Sequence, residues 1–376
     1  MIHVQQRFWS KDKGWTEPTG TLPAEPQLVF VFGDRELVAE PALYEQLRQF
    51  YKDAYVLTGS TAGNILGDDV TTESVTVSAL YFEKTQIWYA EVDIENTFDS
   101  QNVGKKLAEF LPQEDLVHSF VLSDGLSVNG TELAASINQH LPKNVTVTGG
   151  LSGDGKNFAK TLVGVNKVPE TKHVALIGFY GKNLKVGYAA HGGWHPTENT
   201  YTITKSKGNV LYELNGERAL DVYKKLLGDK VSGLPGSALL FPLQLDLPQE
   251  GPVTRTILGI DEQAGSMTFA GDMPEGLVAH VMNGSEDDLI MSAGEAGKEA
   301  AIDSGTQFAL LVSCVGRQLL LQERSKEEVM RVHEALGTNV PIHGFYSYGE
   351  LCPTEQSGTR CLLHNQTMTV TAFAEL

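Results

Sequence analysis

A single pattern recurs three times between residues 27 and 374: an apolar run, a break, a helical stretch, a second apolar run and a glycine-bearing corner. The first copy is Gln27 to Phe32, broken at Gly33-Asp34. A helix over Pro41 to Lys52 and a strand over Ala54 to Leu57 then lead to Gly59-Ser60-Thr61-Ala62-Gly63. The second runs from Ser119 to Asp124-Gly125, through Thr131 to His140 and Asn144 to Val147, to Gly149-Gly150-Leu151-Ser152-Gly153. The third runs from Phe308 to Cys314-Val315-Gly316-Arg317, through Lys326 to Leu336 and Val340 to Ile342, to Gly344-Phe345-Tyr346-Ser347-Tyr348-Gly349. Recurrence on this scale places three glycine corners at equivalent strand ends, where α/β folds hold ligands.

Two more strand-like runs follow each corner: Ser74 to Phe82 with Gln86 to Val92, Thr161 to Val165 with His173 to Tyr180, and Thr359 to Leu363 with Met368 to Phe373. Read as hairpins these are antiparallel, so mixed sheets are expected. The fold class is α/β with α+β character, in two domains. Residues 1–26, closing on Pro18, Pro23 and Pro26, read as an extended arm. The first domain is expected over 27–219 and the second over 220–376, divided beside a helix from Glu217 to Leu227 that Gly228 stops. Ser100 is expected to cap a helix over Val103 to Leu111, Ser285 to head one reaching about Ile302, and Ser325-x-x-Glu328 to form a capping box.

A formal charge of −18 argues against nucleic acid and anionic membrane surfaces as partners. The cysteines Cys314, Cys352 and Cys361 are odd in number with no CxxC pair, which fits a reducing compartment. No apolar run approaches the roughly 18–20 residues of a membrane helix, and the N-terminus lacks signal-peptide character. A cytoplasmic protein without membrane insertion is expected.

Reactive motifs are weak. Gly150 to Lys156 satisfies GxxxxGK, but Asn157 stands where a P-loop needs Ser or Thr, and a strand-like run follows instead of a helix. Gly59-Ser60-Thr61-Ala62-Gly63 resembles a nucleophile elbow but also runs into a strand. His191 and His195 have helical ligand spacing that Gly192, Gly193 and Pro196 forbid, so no metal site is expected. No cofactor is implied. Cys314 lies three residues from Arg317, a cation that lowers a thiol pKa; this opens the alternative of a cysteine-dependent enzyme. Without a placed base, binding is the stronger reading. Gly149, Gly150 and the corner Tyr346, Ser347, Tyr348 and Glu350 would line the site beside Cys314. Arg317 (and Arg255) would hold a ligand carboxylate and Asp124 or Glu350 a ligand ammonium.

The motifs Thr58 to Ile65, Thr148 to Gly155, His191-Gly192-Gly193-Trp194 and Asn209 to Tyr223 resemble the FIST family. Ser313 to Arg317, Gly344 to Glu350 and Leu363 to Thr369 carry the same likeness through the C-terminal half. The resemblance implies a bacterial sensory, signal-transduction module of N-terminal and C-terminal FIST domains that binds small ligands, amino acids among them. Such modules sit beside receptors, kinases or cyclases. This chain has no such output domain between its ends, so a separate downstream signalling partner is expected.

Overall fold

In the computed structural model, residues 1–94, 99–234, 236–248 and 250–376 are described. The strands heading the three copies are Leu28–Gly33, Leu116–Ser123 and Phe308–Cys314. Each pairs in parallel with the strand entering its own corner, Tyr55–Ser60, Thr146–Leu151 and Ile342–Ser347 respectively. Apolar residues on both faces explain the parallel pairing, because such strands must be covered twice. One face of the leading strands joins Phe30, Phe32, Phe120, Leu122, Phe308 and Leu310 in a common core. Phe30 meets Phe120 at 5.4 Å and Phe308 at 6.4 Å between ring centroids. The other face packs on helices: Val29 and Val31 with Leu43 and Leu47 of Pro41–Phe50, and Leu311 with Val329 and Val332 of Ser325–Leu336.

The chain then leaves its sheet at every corner. Gly63–Leu66 joins the third copy's Ile342–Ser347, Gly349–Pro353 joins the second copy's Thr146–Leu151, and Val163–Val165 joins the first copy's Tyr55–Ser60. All three pairings are antiparallel. The result is three six-stranded mixed sheets that repeat one order of pairing senses over five strands, the sixth strand standing at the opposite edge in the first sheet. On the far side of the leading strands stand Ser74–Phe82, His173–Tyr180 and Met368–Glu375, each antiparallel.

Two local expectations change. The paired runs after each corner are antiparallel members of mixed sheets, yet they do not pair with one another. Ser74–Phe82 lies between Leu28–Gly33 and Ile2–Ser10, while Gln86–Asp93 joins His173–Tyr180 in another sheet. Likewise Cys361–His364 pairs with Gly349–Pro353, and Met368–Glu375 with Phe308–Cys314. Local alternation sets strand character, whereas the shared core decides partners. The N-terminal arm is a full strand, Ile2–Ser10, in register with Ser74–Phe82 along its whole length.

Helix starts shift for electrostatic reasons. The capping box falls at Ser285, whose side chain takes the N–H of Asp288, while Ser325 lies inside its helix and donates to the Gln322 carbonyl. Glu328 cannot reach back to a cap because its carboxylate is bound by Arg317 and Tyr346. Asp99 precedes the helix Ser100–Phe110, and Ser100 Oγ instead accepts the Asn129 N–H. A seven-residue helix, Val315–Leu321, follows Cys314 directly; Val315 and Gly316 had hidden it.

Residues 195–283 supply a fourth, antiparallel sheet with its own core around Leu220, Tyr223, Met267 and Phe269. The chain enters this insert through Gly192-Gly193-Trp194 and leaves it through Gly284.

Candidate functional site

The glycine corners meet. Ala62 N–H donates to the Tyr346 carbonyl (2.9 Å), Tyr348 N–H to Leu151 (3.0 Å) and Gly153 N–H to Ser60 (3.0 Å), a closed ring of three backbone bonds. Their meeting point is therefore filled by backbone. Clefts of about 750, 370 and 280 Å³ lie elsewhere, lined by other residues. A Cβ at Gly149 would sit 1.9 Å from the Val121 carbonyl, and one at Gly150 2.6 Å from Val312. Close strand packing thus accounts for both glycines.

What differs between corners is the residue beside them. The pairs Gly33–Val75, Ser123–Val174 and Ser313–Met368 occupy matching register positions. Two residues before the second member, each turn carries a non-glycine residue of positive φ: Glu73 (52°), Lys172 (60°) and Gln366 (61°). Glu73 and Lys172 are exposed, as long polar side chains in strained turns ordinarily are. Gln366 is fully buried, and neither its Nε2 nor its Oε1 has a partner. Its carboxamide lies over Gly316, where a Cβ would approach Nε2 to 2.5 Å.

The insert is what covers this turn. Trp194 Nε1 donates to the Gln366 carbonyl (3.1 Å), and Thr256 N–H to Asn365 Oδ1 (3.4 Å). The buried Thr256 hydroxyl is also without a partner. Leaving a buried polar group unbonded costs about 1–3 kcal/mol, so each calls for a ligand or ordered water.

Around Gln366 stand several of the residues singled out from sequence. Cys314 faces Ser347 in the parallel register, and Ser347 Oγ donates to Glu350 Oε1 (2.7 Å). Glu350 Oε2 accepts from the N–H and hydroxyl of Thr367 (3.2 and 3.0 Å). Burial pushes the Glu350 pKa up to about 8. The Cys314 thiol is pushed far up by burial and then by Glu350, outweighing the N–H groups of Gln366 and Gly316 and the charge of Arg317.

Arg317 and Tyr346 stand behind this group. Arg317 Nε donates to Glu328 Oε2 (2.9 Å), Nη1 to the carbonyls of Gly192 and Gln366, and Nη2 to that of Leu289. Tyr346 donates to Glu328 Oε1 (2.6 Å). The guanidinium ties the Gln366 turn to the entrance of the insert. Tyr348 and Asp124 face another side. Tyr348 stacks on Phe158 at 4.3 Å, and Asp124 binds the N–H groups of Leu126, Ser127 and Lys172 and the Thr161 hydroxyl. Arg255 is buried in the insert and donates to the Leu363, Thr254 and Asp272 carbonyls; burial lowers its pKa to about 10. Gln366 and Thr256 escaped the sequence reading. The available signal was an uncharged Gln at the position that the charged Glu73 and Lys172 occupy in the other copies.

Comparison with known families matches residues 27–217 to the FIST N domain and residues 219–353 to the FIST C domain. The chain is also 24% identical, over 215 residues, to the uncharacterized protein MJ1623 of Methanocaldococcus jannaschii. That alignment covers 54% of this chain and 41% of the relative, so the chain spans less than half of that protein.

Proposed function

Because this chain belongs to the FIST family, whose domains are sensory and signal-transducing, we propose that it binds a small polar metabolite, such as an amino acid, at the Gln366 corner. The observation that carries this reading is the buried Gln366 carboxamide with both ends unbonded. Cys314, Ser347 and Glu350 border the ligand, with Gly149 and Gly150 in the strand paired to Glu350. Arg317 and Tyr346 hold the turn, while Tyr348 and Asp124 shape the adjoining corner.

Ligand entry requires the insert to swing on its two connections. Gly193, at φ 73° with the Asp288 carbonyl 2.4 Å from where a Cβ would be, accepts only glycine there. Arg317 and Trp194 bond both the hinge and the Gln366 carbonyl, so occupancy of the corner biases the insert's position. That shift is what a downstream signalling protein (a receptor, kinase or cyclase) would read, in the cytoplasm, across a domain division at 219/220. Catalysis by Cys314 is disfavoured because burial keeps its thiol protonated. Among the described residues no helix is long and apolar enough to cross a membrane.

A thermal-shift screen of the amino acids tests the reading. A ligand at 100 times its Kd should add about 2.7 kcal/mol of stability. No shift with any amino acid removes that class.

A further inference from the structure

Resting on that reading, we propose that the ligand presents a planar amide edge, one donor beside one acceptor, which the Gln366 carboxamide reads by a pair of hydrogen bonds. Nε2 and Oε1 are both buried and both unbonded. Exchanging the two atoms changes nothing, so the inference does not depend on which way the amide is drawn. A free carboxamide offers donors on one side and an acceptor on the other. A carboxylate would satisfy Nε2 but set an acceptor against Oε1, and an ammonium would satisfy Oε1 and leave Nε2 bare. Only a group carrying both, such as a side-chain carboxamide or the lactam edge of a nucleobase, closes both bonds at once.

The surroundings fit a neutral ligand edge. The Cys314 thiol is uncharged, and the cation bonded to the Gln366 carbonyl, Arg317, is committed to Glu328 and to backbone carbonyls. The sibling corners supply the contrast. Glu73 and Lys172, at the same register position and with the same positive φ, point to solvent. Burial of the third residue comes from the insert and from the missing side chain at Gly316.

Isothermal titration of the full chain tests the assignment with L-glutamine, L-asparagine and uracil against L-glutamate and L-aspartate. An amide-edge probe should bind about ten- to a hundredfold tighter than the acids, the penalty for one unpaired buried group. The uracil arm separates a base edge from an amino-acid amide. Gly316→Ala, which drives a methyl into Nε2, should abolish that binding, and Gln366→Glu should erase the preference for amide over acid. Equal binding of amides and acids, amide binding untouched by Gly316→Ala, or no binding by any amide-edge probe would overturn the proposal. A ligand of other chemistry that stabilises the wild type but not Gly316→Ala also overturns it, while leaving the corner as the sensing site.

Discussion

The first and third corners place an acid and a neutral partner on one backbone frame, but in opposite seats. In the first, Asp34 follows the leading strand and Asn64 follows the corner. Asn64 donates to Asp34 Oδ1 (3.1 Å) and to the carbonyl and hydroxyl of Ser74, and Thr61 donates to it (2.6 Å). In the third, Cys314 occupies the Asp34 seat and Glu350 the Asn64 seat, with Ser347 and Thr367 in place of Thr61 and Ser74. The registers Tyr346–Gly63 and Leu151–Gly349 show that the seats correspond. Each of these two corners carries one carboxyl, half-buried at Asp34 and fully buried at Glu350. The first uses it on its own turn; in the third, with a thiol in that seat, Glu350 binds Thr367 and the Gln366 carbonyl is held by Arg317 and by Trp194. The first corner is closed by local bonds alone; the third adds to its local Ser347–Glu350–Thr367 bonds those of Arg317 and of Trp194 at the entrance of the insert.

The sharpest way to break this correspondence is to seat two acids together. Cys314→Asp would place a second buried carboxyl beside Glu350, and one of them must be protonated. A loss of more than about 4 kcal/mol is expected by urea denaturation. Adding Glu350→Asn recreates the Asp34–Asn64 arrangement and should return about 1–3 kcal/mol through coupling of the two sites. A double variant no better than the single one would show that the corners are not interchangeable.

The cations provide the next contrast. Arg317 is buried against Glu328, so Arg317→Leu strands a buried carboxylate and should cost about 3–5 kcal/mol. Arg35 is itself partly exposed and shares the buried Asp154 carboxylate with the Lys160 N–H, so Arg35→Leu should cost less than Arg317→Leu. Chemical denaturation of the two variants side by side checks the order; similar losses would mean the buried pair is not what anchors the third corner.

Titration distinguishes the seats as well. Folded Glu350 keeps its proton up to about pH 8, whereas the unfolded chain releases it near pH 4.5. The native state thus holds the extra proton between these values, and stability falls as pH rises through that window. His118, His343 and His364, with pKa values lowered by burial to about 3, 3 and 4, act oppositely by losing stability below pH 6.5. Between pH 6.5 and 8 the Glu350 slope remains, worth roughly 2 kcal/mol. Melting curves of Glu350→Gln should be flat across that interval where the wild type declines; parallel curves would place the titration elsewhere.

Much of this frame was legible in the chain. The apolar runs ending at Gly33, Ser123 and Ser313 announce strands buried on both faces, and the corners fall where glycine breaks them. Strand exchange was not legible, because the alternation in Gly63–Leu66 or Gly349–Pro353 marks a strand without naming its partner. Glu328 looked like the end of a capping box because spacing cannot reveal that a buried guanidinium competes for its carboxylate. Cys314 and Glu350 were visible as chemistry, but the sign of their shifts depends on burial, which spacing does not reveal. Gln366 hid inside a turn of ordinary polar residues, distinguished only by what covers it.

That cover predicts the smallest effect. Gly relieves positive-φ strain, so Glu73→Gly should gain up to about 1 kcal/mol at an exposed turn. Gln366→Gly removes the same strain and also the unbonded buried carboxamide, so its gain in thermal stability should exceed that of Glu73→Gly. It should at the same time lose any ligand the wild type binds, because stability withheld at a site is commonly what function uses. If Gln366→Gly instead destabilises the protein, the carboxamide has a partner in solution, a trapped water, and the third corner is as closed as the first.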